Sequence, residues 1–186
     1  MFIVSLLSFT QAGVAERAVP GKYKIDQTHS TIQFSVSHLG VSELSGRFNQ
    51  FSGDLNIDRS GKSGVSVVVK TSSIDTNHKA RDKHLRSPDF FNAKQYPFMK
   101  FVSDTVQLDK KGEPVKLTGK LTLHGKTQPV EWVINKVGAG KDPWGGYRAG
   151  YNAVATIKRS SFGMKYMLGG VGDKIKIMIN LEAIKK

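Results

Sequence analysis

In the stretch STIQFSVSH, Ile32, Phe34, Val36 and His38 alternate with Thr31, Gln33, Ser35 and Ser37. A period of two places the first set on one face of a strand and the second on the other, the pattern of a sheet with one covered face. The alternation returns in Phe51, Leu55 and Ile57, in Val65, Val67 and Val69, and in Met99 and Phe101. It continues in Val115, Leu117, Leu121 and Leu123, in Val130, Trp132 and Ile134, in the run from Tyr147 to Ile157, and in Ile175 to Leu181. Turn-forming clusters such as DRSGKSG, DKKGEP, HGKT and GAGKDPWGG separate these runs. Roughly eight antiparallel strands with one apolar face can stack as a sandwich or close into a barrel, and closure removes the exposed edges. A barrel of about eight strands is just wide enough to be filled by its own side chains or to hold one slender ligand. Ala149, Ala153 and Ala155 fall on the inner face of one strand, and Gly53 and Gly119 at inward positions of two others. These small residues either leave room for a ligand or relieve crowding where the barrel tapers.

One segment, SIDTNHKARDKHLRS, has helical rather than strand character. Asp75 or Thr76 can cap its start, and Pro88 stops it at or before Ser87. A helix of about ten residues is marginal alone in water, so it must dock on something. The paired Phe90 and Phe91 follow at once, which suggests a lid: the rings enter one end of the barrel while Lys79, Arg81, Lys83 and Arg86 stay in water. Such a lid suits an amphiphile with a polar or anionic head, whereas a plain core closure under a solvated charged face would use the same residues. His78 and Asp82 lack a third ligand on their face, and His29, His38 and His124 are isolated in sequence, so no metal site is expected.

Length and composition narrow the function. The 186 residues suit one domain, and the absence of cysteine excludes disulfides, thiolate metal sites and cysteine nucleophiles. No nucleophile elbow, phosphate-binding glycine loop or dinucleotide fingerprint is present, and no acid–base carboxylate pair stands out among 15 dispersed acids, so neither catalysis nor a resident cofactor is expected. With 28 Lys and Arg against 15 Asp and Glu, the net charge of +13 favours an anionic contact such as a membrane surface. Nucleic acid is disfavoured, because the aromatic residues share faces with Ile, Leu and Val instead of lining a basic track. The opening MFIVSLLSFTQAGVA has the apolar and small-residue parts of an export signal without its basic start, and Gly13-Val14-Ala15 offers a cleavage site; an N-terminal strand is the alternative. The expected division is a signal peptide over residues 1–18 and a barrel domain over 19–186.

Six stretches carry a resemblance: YKIDQTHSTIQFSVSHLGVS, GRFNQFSGDL, SIDTNHKARDKHLRSPDFFNAKQYPFMKF, LTGKLTLHGKTQPV, KDPWGGYRAGYNA and RSSFGM. In this order, and collinear from about Tyr23 to the C-terminus, they resemble the YceI-like family of lipocalin-like, polyisoprenoid-binding proteins. The resemblance implies an all-β fold, an antiparallel eight-stranded lipocalin-like barrel with one short helix in a connection. It also implies residence in the bacterial periplasm or secretion, no catalysis, and a long isoprenoid or quinone-like lipid in the bore.

On that basis Ile32, Phe34, Val36, Phe90, Phe101, Leu121, Leu123, Tyr151 and Ala153 are expected to line the ligand site, with His38 continuing the inward series. Arg81, Lys83, His84 and Arg86 are the candidates for a head group near the entrance, and the excess of charge fits a pyrophosphate or transient contact with anionic membrane. A competing expectation is an envelope stress or interaction protein that works through its basic surface, with lipid as structural filling.

Overall fold

The computed structural model describes residues 17–60 and 62–186. The expected signal peptide therefore lies almost wholly outside the described residues; of residues 1–18 only Arg17 and Ala18 are described, and Ala18 packs in the core. The described chain forms eleven strands and one α-helix: β1 (Gly21–Ile25), β2 (Thr31–His38), β3 (Ser42–Phe48), β4 (Phe51–Ile57), β5 (Gly64–Lys70), β6 (Ile74–Asp75), α1 (Lys79–Leu85), β7 (Phe98–Leu108), β8 (Pro114–Leu123), β9 (Lys126–Lys141), β10 (Tyr147–Lys158) and β11 (Val171–Lys185). All pairings are antiparallel, and β1 bonds to both β4 and β11, which closes the ring β1-β4-β5-β7-β8-β9-β10-β11. Strand β11 pairs with β2 over Val171–Asn180 and with β1 over Ala183–Lys185. Thus β1 and β2 are two halves of one wall strand, as are β3 and β4, and the wall has eight positions.

Alternation fixes the register. Cross-strand neighbours such as Phe101 and Leu121, Leu117 and Trp132, Ala155 and Ile177, and Ile157 and Ile175 stack apolar side chains on the inner face. Tyr23 and Ala183 are completely buried where the first and last strands meet. Three strands escaped the alternation pattern: β1 is short and flanked by lysines, β3, SELSGRF, is largely exposed, and β6 is two residues inside the segment read as helical.

All the hairpin turns between β4 and β5, β7 and β8, and β9 and β10 lie at one end, the loop end. The opposite, helix end carries the β2–β3 and β8–β9 turns, α1, the 86–97 segment and the 159–170 connection. Among the described residues no helix is long and apolar enough to cross a membrane.

The helix starts later than its sequence suggests. Its N-cap is His78, whose Nδ1 accepts from the Arg81 amide at 3.2 Å. Thr76 instead donates through its amide and hydroxyl to Asp82 Oδ1, while Asp75 accepts from Arg47, Asn49 and the Asn77 amide. His78 and Asp82 are thereby both committed to holding the helix start.

Candidate functional site

The inner face encloses an elongated cavity of about 440 Å³ that runs from the loop end to the helix end, within the range of roughly 300–1,000 Å³ for small-molecule sites. Ile32, Phe34, Val36, Phe90, Phe101, Leu121, Leu123, Tyr151 and Ala153 all stand in its wall, joined by residues the alternation placed inward without singling out, such as Val67, Met99, Ile134 and Ile177. His38 does not reach the wall, because it ends β2 just before Leu39 turns into the left-handed region at φ 53°. The inward glycines do not create the cavity. A Cβ on Gly119 would lie 2.5 Å from the Phe101 ring, and one on Gly53 would lie 2.7 Å from Ile25 Cδ1. Both glycines admit a neighbouring side chain, and of the inward alanines only Ala153 borders the open space.

At the helix end the wall is aromatic and buried. Phe91 meets Phe48 edge-on at 5.6 Å, and Phe48 in turn contacts Phe34 at 5.8 Å. Phe90 packs against His84 and Tyr166 at 5.1 and 5.3 Å, and the Arg159 guanidinium lies 6.0 Å from its ring centre. Arg159 is 3% exposed and donates to three backbone carbonyls, those of Gly172, Met164 and Val171, at 2.7–2.9 Å. Burial pulls its pKa down, against the opposing charge of Asp173.

The basic residues of α1 do not face this space. Arg81 donates to the hydroxyl and carbonyl of Thr76, and Arg86 to the carbonyls of Ser72 and Ile74, all at 2.7–2.8 Å. His84 Nε2 pairs with Asp89 at 2.8 Å, and Lys83 is exposed. None of the four belongs to the cavity wall. The two arginines pin the helix to the 71–76 segment, a role that sequence spacing does not reveal.

At the loop end the wall turns polar and runs out into the exposed residues Arg17, Arg59 and Gly112. Strand register shapes this end. Gly150 stands opposite Gly138, yet Tyr151 stands opposite Lys136, so Val137 is the extra residue of a β-bulge. Val137 points outward, 58% exposed, and just before the slip Lys136 and Tyr151 stand side by side on the inner face, in the same register as Ile134 and Ala153. Lys136 Nζ donates to Glu113 Oε1 at 2.9 Å, and Arg17 Nε lies 3.8 Å from the same oxygen. Burial pushes the Tyr151 phenol up, reinforced by the Glu113 carboxylate. Outside the cavity, Arg148 bonds Asp26, Glu182 and Asp142, while His29 Nδ1 meets Asp26 Oδ2 at 2.8 Å. Asp26, His29 and Glu182 have metal-ligand spacing, but the Arg148 guanidinium already occupies two of these carboxylates.

The comparisons with known proteins agree with this architecture. The model of the YceI-like domain matches residues 23–183. The chain belongs to the YceI-like family. A UPF0312 protein of Pseudomonas aeruginosa is 43% identical over 176 residues, which cover 92% of this chain and 91% of that protein. The crystal structure of the Campylobacter jejuni YCEI protein superposes with a TM-score of 0.72 at 25% identity, over 100% of this chain and 99% of the other. A polyisoprenoid binding domain from Saccharophagus degradans, implicated in plant cell wall breakdown, shares the fold with a TM-score of 0.71 at 15% identity, over 88% and 98% of the two chains.

Proposed function

We propose that this protein binds the chain of an isoprenoid-type lipid, polyprenyl or quinone-like, inside the barrel and carries or sequesters it unchanged in the periplasm. The observation that carries the reading is the cavity itself: a bore extending between the two ends of the barrel and walled by Ile, Leu, Val and Phe side chains. Burying each CH₂ is worth about 0.8 kcal/mol relative to water, so a long prenyl chain needs such a host once it leaves a bilayer. Transfer from a bilayer gains almost none of that, so affinity must come from shape fit and from the head group. The polyisoprenoid-binding domain of Saccharophagus degradans, built on the same fold, supports the choice of ligand class.

The experiment is native mass spectrometry of the protein purified from its own host, followed by organic extraction of what is released. A stoichiometric prenyl lipid or quinone is the expected result; an empty, stable, monodisperse protein would overturn the reading. Ala153→Trp fills the cavity beside β11, and the folded variant should lose its lipid. Unchanged occupancy would show that the chain does not run past β10.

A further inference from the structure

We infer that the ligand lies in the barrel with its polar end toward the loop end and its tail toward Phe90 and Phe91, and that this end is neutral and oxygen-bearing, hydrogen-bonded to the Tyr151 hydroxyl. The inference rests on the lipid-binding reading above and adds to it a direction and a head-group chemistry.

The two ends of the cavity offer very different partners. At the helix end the buried polar side chain of the wall is Arg159, which already serves three backbone carbonyls, while Gln33 and Lys100 are exposed. The cations of α1 face elsewhere: Arg81 and Arg86 are spent on backbone and hydroxyl oxygens. A tail that ends among Leu85, Phe90 and Phe91 meets apolar surface, whereas a polar head there would be buried without a partner, which is costly.

At the loop end Tyr151 stands in the wall, and its hydroxyl makes no hydrogen bond among the described residues. Tyr151 is half-buried in the cavity wall, and a hydroxyl so placed bonds a polar group that enters the cavity. Lys136 stands beside Tyr151 on the inner face, in the same register as Ile134 and Ala153.

The charge around Tyr151 selects the head group. Lys136 donates to Glu113 at 2.9 Å and the exposed Arg17 reaches the same oxygen at 3.8 Å, so a phosphate would have to compete with the Glu113 carboxylate for both cations. Arg17 and Arg59 are exposed, so solvent screens their charges. A carbonyl or hydroxyl oxygen can accept from the Tyr151 hydroxyl without bringing charge into this pocket. The net charge of +13 therefore does not select a pyrophosphate at this site.

The test uses the full folded domain and three probes that share one prenyl tail: geranylgeranylacetone, labelled with ¹³C at its ketone, the corresponding hydrocarbon, and geranylgeranyl diphosphate. The ketone should bind best, with its ¹³C resonance shifted downfield as hydrogen-bonded carbonyls are. Tyr151→Phe, which keeps the ring, should weaken ketone binding about fivefold, the size of one net hydrogen bond, abolish the shift and leave the hydrocarbon unaffected. If all three probes bind and Tyr151→Phe changes none of them, the inference fails while the lipid-binding reading stands. Tighter binding of the diphosphate would overturn the neutral head group. If no probe binds, both readings fall.

Discussion

The helix end and the loop end of this barrel are held by different forces. At the helix end, rings from β2, β3 and the 86–97 segment interlock, and a buried arginine gathers three carbonyls of the 159–172 connection. At the loop end the turns are fastened by charges, with Arg148 drawing Asp26, Glu182 and Asp142 together and Lys136 holding Glu113. Packing tolerates little change in volume, whereas partly solvated ion pairs contribute modestly and respond to pH and salt. The difference teaches how a closed barrel can hold one end shut and leave the other adjustable.

The strongest way to break the contrast is at the helix end. Phe48→Ala removes the ring between Phe34 and Phe91 and should cost about 4 kcal/mol, read from urea denaturation. Arg159→Met leaves the carbonyls of Gly172, Met164 and Val171 unserved, with an expected loss of about 3 kcal/mol. A loss below about 1 kcal/mol in both would mean that this end is no more rigid than the other.

The loop end should show itself through pH. Hydrogen bonding from His29, opposed by burial and assisted by Arg148, holds the Asp26 carboxyl well below the usual carboxylate range. A depressed folded-state pKa gives stability that is fully present above the unfolded value of about 3.9 and is lost as pH falls toward the folded value. The stability gap between the wild type and Asp26→Asn should therefore narrow steadily below about pH 4; a gap independent of pH would remove the ionic account of this end. The smallest effect is expected from Arg59→Ala. Arg59 is exposed on the β4–β5 turn, and the change should stay within about 0.5 kcal/mol.

Much of this was legible in the sequence, and the exceptions have physical causes. Strands such as β2 and β10 announced themselves because one face is apolar along their length. Strand β9 was read only over Val130–Ile134, although it runs from Lys126 to Lys141, because the Val137 bulge and the glycines beyond it interrupt the period. The inner wall followed from alternation, but His38 did not, since a strand's last residue has no next pleat to define its direction. The polar end stayed hidden because Arg17, Glu113 and Lys136 come from three places far apart in sequence and meet only in the folded barrel. The arginines of α1 read as solvent-facing charges, because carbonyl partners on a neighbouring segment leave no trace in composition.

The pairing of β1 with β11 joins Tyr23 to Lys185 and Ile25 to Ala183, nearly the full length of the described chain. Loop closure over such a span is entropically expensive and slows folding relative to local pairings. During synthesis the wall cannot be completed until β11 has emerged, so every nascent chain passes through a stage in which the sheet is an open trough with two raw edges. A chain cut before β11 would be trapped at that stage, its apolar inner face and unpaired strands available to other chains.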